Sequence, residues 1–175
     1  MARVLDGADL RRSIRRLAVE ILESTQGLEG LRLVGIHTGG VTLAQRLSIA
    51  IGELEGACPV VGEMDITLYR DDLYTGLEKP SLGDTRIPFD VDGARVVLVD
   101  DVLFTGRTVR AALGLLMDYG RPDWIKLAVL VDRGGRELPI HADFVGRRIE
   151  AAKGDRVTVA FVEDGSETDG IFVGG

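Results

Sequence analysis

Residues 96–108 read V-V-L-V-D-D-V-L-F-T-G-R-T, and the fold turns on this stretch. Val96 to Val99 is an apolar run without polar interruption, the pattern of a strand buried on both faces in a parallel sheet with helices above and below. Asp100 and Asp101 follow at its carboxyl end, the edge of an open α/β sheet where ligands bind. Beyond them Thr105 and Gly106 supply a hydroxyl and a backbone without Cβ. Arg107 to Met117 then resumes helical spacing through Val109, Leu113, Leu116 and Met117. Backbone N–H groups at a helix start, flanked by threonine hydroxyls, form a phosphate site. Carboxylates just upstream can accept hydrogen bonds from an attached sugar or help hold a metal bridging it. The combination suits a sugar phosphate. It is not a P-loop, because Gly-x4-Gly-Lys-Ser/Thr occurs nowhere in the chain.

The 175 residues, 45% hydrophobic and 28% charged, are expected to form a single globular domain, 1–175, with a full core. No apolar run approaches a membrane span and no signal peptide precedes Arg3, so the expected address is cytoplasmic with no membrane partner. Cys58 is the only cysteine, which excludes an internal disulfide and a cysteine metal cluster. His37 and His141 are too few for a zinc site, and no metal site built from protein ligands alone is expected. A net charge of −7 argues against general nucleic-acid binding but leaves room for a local basic face.

Leu10, Ile14, Leu17, Ile21 and Leu22 give Asp9 to Thr25 the period of an amphipathic helix capped by Asp9. Arg11, Arg12, Arg15 and Arg16 interleave them, either as a solvated face or as contacts to polynucleotide phosphates. Leu31 to Ile36 reads as a second parallel strand, followed by Thr38, Gly39 and Gly40 and a helix from about Val41 to Leu54. That small-residue loop is either a plain tight turn or a second anion site. Val60 to Leu68 reads as a strand. Residues 69–92 form a long connection without periodicity, either disordered or a lid that closes over the site and carries Arg70. Ile125 to Val131 is a further buried strand tipped by Asp132, Arg133, Gly134, Gly135 and Arg136. A terminal β-hairpin is expected over about 156–173.

The V-V-L-V-D-D-V-L-F-T-G-R-T segment resembles the phosphoribosyl-pyrophosphate (PRPP) motif of type I phosphoribosyltransferases. Four further segments narrow the resemblance to the PyrR proteins, bifunctional regulators of pyrimidine operons with uracil phosphoribosyltransferase activity: L-V-G-I-H-T, D-I-T-L-Y-R-D-D-L at Asp65 to Leu73, L-A-V-L-V-D-R-G at Leu127 to Gly134, and R-E-L-P-I at Arg136 to Ile140. The resemblance implies an α/β type I phosphoribosyltransferase fold with a mainly parallel sheet, a lid loop and a C-terminal hairpin. It implies transfer of the ribose phosphate of PRPP to uracil, giving UMP and pyrophosphate with Mg²⁺. Asp100, Asp101 and Arg70 are the catalytic candidates, the acids on the ribose and Arg70 on the lid. Leu103, Phe104, Thr105, Gly106, Arg107 and Thr108 form the 5′-phosphate segment; Thr38, Gly39 and Gly40 take pyrophosphate; Val131, Asp132 and Arg133 lie beside uracil. The regulatory role implies binding of pyrimidine-operon leader RNA in response to UMP or UTP, with Arg15, Arg16, Arg136 and Arg147 forming one basic surface, and a homodimer or homotetramer. A transferase for another base, such as hypoxanthine or orotate, is the competing reading.

Three departures stand out. The family's T-R-G is Thr38-Gly39-Gly40 here, so one cation expected at the leaving group is missing; a charge-assisted contact made in the transition state is worth on the order of 2–3 kcal/mol. Gly135 stands where the family has histidine, and Glu150-Ala151-Ala152 replaces P-T-S, both where the RNA face is expected. If the missing cation limits catalysis, Gly39→Arg gives a large rise in pyrophosphate release from PRPP and uracil; unchanged turnover rejects that cause.

Overall fold

The computed structural model describes residues 1–71, 84–152 and 154–175. In chain order the elements are β1 (Ala2–Asp6), α1 (Gly7–Thr25), β2 (Leu31–Ile36), α2 (Gly39–Glu55), β3 (Val60–Met64), β4 (Arg95–Leu103), α3 (Arg107–Tyr119), β5 (Trp124–Asp132), β6 (Phe144–Arg148), β7 (Arg156–Ala160) and β8 (Gly170–Gly174). Five parallel strands form the central sheet in the order β3-β2-β4-β5-β6. A second, antiparallel sheet has the order β1-β8-β7.

Strand period 2 explains how β4 sits at the centre of this arrangement. Val97 and Val99 pack with Leu17, Leu43 and Leu47 of α1 and α2 on one face. Val96 and Leu98 pack with Val109, Ala112 and Leu116 of α3 on the other. All four residues of the run are wholly buried, each worth roughly 1.5–3 kcal/mol of apolar burial. Met117, expected on this face, is exposed instead, because the apolar stripe of α3 runs through Val109, Ala112, Leu115 and Leu116.

Several boundaries differ from the sequence expectation for identifiable reasons. Helix α1 is capped by Asp6 rather than Asp9: the Asp6 carboxylate accepts the Asp9 N–H at 2.9 Å, and Asp9 lies in the first turn. Helix α2 begins at Gly39 rather than Val41, so the expected glycine loop is the helix's first turn, with Thr38 at the cap position. Strand β3 stops at Met64 because Asp65 turns the chain, its carboxylate accepting both the N–H and the hydroxyl of Thr67 at 2.9 and 2.5 Å. A single 3-10 turn, Thr67–Tyr69, follows. Strand β4 does not end at Val99 but runs through both acids to Leu103, Asp100 pairing with Val129 and Leu103 with Asp132.

Of the long connection expected at 69–92, the structure describes 69–71 and 84–92, where Arg86 bridges to Glu63 of β3. The remainder of the expected lid, 72–83, lies outside the described residues. Among the described residues no helix is long and apolar enough to cross a membrane.

The C-terminal hairpin is present and gains β1 as a third strand. Arg46 ties it to α2: its guanidinium binds Glu163 and Asp169 and lies 4.8 Å from the Phe161 ring centroid. Hydrogen bonds from Arg46 hold both carboxyls below their ordinary values. Their stabilising contribution is therefore full above the unfolded pKa, near 4, and is lost as pH falls through the lower folded values. Arg46→Met is expected to reduce unfolding free energy by about 1–2 kcal/mol at neutral pH. In denaturation curves taken across pH, its deficit relative to the parent shrinks below about pH 4; a deficit that stays constant into acid refutes the assignment.

Candidate active site

The order of the central sheet reverses between β2 and β4: the chain passes from β2 outward to β3, then returns to the other side of β2 as β4. Helix α2 leaves β2 on one face and α3 leaves β4 on the other, which opens a crevice at the carboxyl ends of these two strands, the position where open α/β sheets bind ligands. Both segments singled out as anion sites therefore open onto it.

The α3 side is built around Gly106, the helix cap, whose φ of 93° suits glycine. A Cβ at Gly106 would also lie 3.3 Å from Cβ of Ile140. The Thr105 carbonyl accepts the N–H groups of Glu137 and Leu138 at 2.9 and 3.1 Å, which holds the loop after β5 against the start of α3. A cavity of about 340 Å³ results, bounded by Arg70, Asp100, the segment 102–109 and Glu137. Arg107 spans its rim, donating to Glu137 at 2.8 Å and to Asp71 at 2.6 Å. The structure thus brings Arg70, Asp100, Leu103, Phe104, Thr105, Gly106, Arg107 and Thr108 to one cavity, while Val102, Val109 and Glu137 join it without having been read as site residues from the sequence.

Asp100 is buried and Asp101 partly so. Burial, then the charge of Asp101, pushes the Asp100 carboxyl well above the usual carboxylate range, opposed by the positive charge of Arg70. Asp101 is raised by burial too, against the Val102 N–H, which its Oδ1 accepts at 2.8 Å. The two acids are linked by the Asp101 N–H, which donates to Asp100 Oδ1 at 3.0 Å, and they titrate as a pair with both carboxyls held above their ordinary range. Among the described residues no cluster of three or more His, Cys, Asp or Glu could hold a metal by itself. The acid pair fits Mg²⁺ in a different way, as one or two carboxylates for an ion whose other ligands are substrate oxygens and water.

Thr38, Gly39 and Gly40 lie across the crevice from the acids, and Gly39 is in direct contact with Asp101. Val131 is wholly buried within the sheet, paired with Val102 and Arg147, and Leu103 holds the tip two residues on by accepting the Arg133 N–H at 3.1 Å. The Arg133 guanidinium lies 4.0 Å from the Phe104 ring centroid and donates to the carbonyls of Asp155 and Ala152 at 2.6 and 3.2 Å. Gly135 gives this ring its room, since a Cβ there would lie 2.5 Å from it.

Arg136 does not join the other three arginines. It is mostly buried and donates to Asp132 at 2.6 Å and to the carbonyls of Phe104 and Ile140 at 2.7 and 3.0 Å, binding the tip of β4 to the loop after β5. Burial would raise the Asp132 carboxyl, but hydrogen bonds from Arg136 and the Gly134 N–H outweigh it and hold it low. Arg16 and Arg147 do share a surface: Arg16 donates to the Gly146 carbonyl and Arg147 to the Ser13 hydroxyl, where α1 packs on β6. Arg15 lines a groove between α1 and α2.

A phosphoribosyl transferase domain matches residues 2–161. The bifunctional protein PyrR of Geobacter sp. strain M21 is 54% identical over 169 residues, 97% of this chain and 96% of that protein. That of Deinococcus radiodurans is 51% identical over 172 residues, 98% and 94% of the two chains, and that of Thermus thermophilus 53% over 167, 95% and 92%. Among solved structures, the hypoxanthine phosphoribosyltransferase of Trypanosoma cruzi superposes with a TM-score of 0.74 at 21% identity, covering 99% of this chain and 95% of that one, a likeness of fold.

Because the Arg136 side chain donates to Asp132 and to the carbonyls of Phe104, Ile140 and Leu103, Arg136→Ala is expected to cost about 2–4 kcal/mol in denaturant unfolding, with Arg136→Lys recovering only part. A loss of under about 0.5 kcal/mol, the range of an ordinary surface substitution, would show that the residue is not the tie described.

Proposed function

Because this chain belongs to the phosphoribosyl transferase family, and within it to the bifunctional PyrR proteins, we propose that it transfers the ribose phosphate of PRPP to uracil and regulates pyrimidine genes by binding leader RNA. The observation that carries the catalytic half is the crevice between β2 and β4, with an acid pair at its floor and a helix start on each side. The N–H groups at 105–108 bind the 5′-phosphate. Asp100 and Asp101 accept hydrogen bonds from the ribose hydroxyls. The start of α2, at Thr38 to Gly40, receives pyrophosphate. The backbone at Val131 to Arg133 reads the edge of uracil, beside the Phe104–Arg133 stack.

As pyrophosphate leaves C1, positive charge grows on the ribose ring, an oxocarbenium-like state. The acid pair stabilises that charge, and Arg70, placed to act on Asp100 and the cavity, moves toward the leaving group. Mg²⁺, bound with PRPP, supplies neutralising charge to the pyrophosphate oxygens. Uracil takes the opposite face of C1, and no protein nucleophile is used.

The RNA-binding half is assigned to Arg15, Arg16 and Arg147, on α1 and the strand it packs against, without Arg136. A homodimer or homotetramer is part of the same reading.

Incubation with PRPP, Mg²⁺ and each free base is expected to release pyrophosphate with uracil and not with hypoxanthine or orotate; turnover of hypoxanthine alone would reject uracil. With UMP present, a pyrimidine-operon leader hairpin is expected to bind more tightly than a scrambled hairpin, with affinity falling steeply with salt. Arg15→Ala, Arg16→Ala and Arg147→Ala each reduce that slope by about one, and Arg136→Lys leaves it unchanged. Equal binding of both hairpins would remove the regulatory role.

A further inference from the structure

Asp101 lies against the start of α2, the segment read as the pyrophosphate site. A Cβ built on Gly39 would lie 2.5 Å from Oδ2, 2.7 Å from Cγ and 3.0 Å from Cβ of Asp101. These distances are far inside the roughly 3.5–4.0 Å of ordinary carbon contacts, so no side chain at 39 coexists with Asp101 in this position. Asp101 therefore lies against the first residue of α2 because that residue is glycine.

The helix it faces lacks a cap of its own. Thr38 makes no side-chain capping bond, and no acid lies in the first turn. The unpaired N–H groups and the dipole of a helix start favour an anion. Two carboxylates from distant parts of the chain have come to this end: Asp101 from β4, against Gly39, and Asp164, which accepts the Thr42 hydroxyl at 2.6 Å. The negative charge of Asp164 also disfavours a second anion close by, acting on Asp101 itself.

We propose that Asp101 is the resident anion of the α2 start, admitted there by Gly39, and that pyrophosphate reaches this helix only by displacing it. The inference rests on the reading of Thr38 to Gly40 as the pyrophosphate site. One carboxylate then serves two places, against α2 before PRPP enters and on the ribose afterwards. The departure from T-R-G does more than remove a cation, because it puts a negative charge in the cation's neighbourhood. Any side chain at 39 evicts Asp101, whatever its charge. Gly39→Arg thus combines eviction with a new charge, and Gly39→Ala separates the two.

Inorganic pyrophosphate and, separately, ribose 5-phosphate are titrated by calorimetry into the parent protein, Gly39→Ala and Asp101→Ala, without Mg²⁺. Crystal structures of the unliganded parent and Gly39→Ala give the Asp101 side-chain torsion. The expected result is pyrophosphate binding tightened about five-fold or more in both variants, ribose 5-phosphate affinity within about two-fold of the parent in Gly39→Ala, and Asp101 rotated off α2 in that variant. Should Gly39→Ala fail to fold, the Asp101→Ala titration decides. Unchanged or weaker pyrophosphate binding in the variants that fold, with ribose 5-phosphate still bound, overturns the proposal alone. Failure of both ligands to bind any of the proteins overturns the phosphoribosyltransferase reading and this inference with it.

Discussion

Burial of β4 on both faces is the constraint on which the site depends. Val96 to Val99 lose all contact with solvent, two side chains to each helical layer. Their combined burial, on the order of 6–12 kcal/mol, exceeds the roughly 1–3 kcal/mol for desolvating a polar group such as the Asp100 carboxyl. The strand can therefore carry an acid to the top of the sheet and hold it there. Helix α2 is pressed onto the same strand backbone to backbone: a Cβ at Gly40 would lie 2.5 Å from the Val99 carbonyl oxygen. The acid pair and the start of α2 face each other because strand and helix are packed this closely.

Arginines are the second organising element, and most of them bind segments of this chain to one another. Arg46 fastens the C-terminal hairpin to α2, Arg136 joins the tips of β4 and the loop after β5, and Arg107 spans Asp71 and Glu137 across the cavity rim. Against a net charge of −7, the arginines committed to such ties do not add to a basic face. Arg16 and Arg147 meet where α1 packs on β6, while Arg15 lines the separate groove between α1 and α2.

What was legible in the sequence was local. The run from Val96 to Thr108 contains its own strand, acids, turn and helix start, and Leu31 to Ile36 matches its strand to the residue. Beyond local reach the reading fails in characteristic ways. Strand β1 is almost wholly exposed and exists by pairing with β8 at the other end of the chain, so it has no apolar pattern of its own. Strand β6 is five residues long, with glycine at its centre. Arg136 looks like a surface cation until the carbonyls it binds are seen folded around it. The partnership of Thr42 with Asp164, and of Gly39 with Asp101, is set by tertiary packing and leaves no trace in spacing. The type of each candidate residue was readable, and its neighbours were not.

The contact between Gly39 and Asp101 also bears on how this chain can change over evolutionary time. Residues that share one small volume do not contribute additively to stability or function. A substitution at 39 is accepted only with a new position for the Asp101 side chain. The two positions are therefore coupled, and the effect of a change at one depends on where the side chain of the other lies.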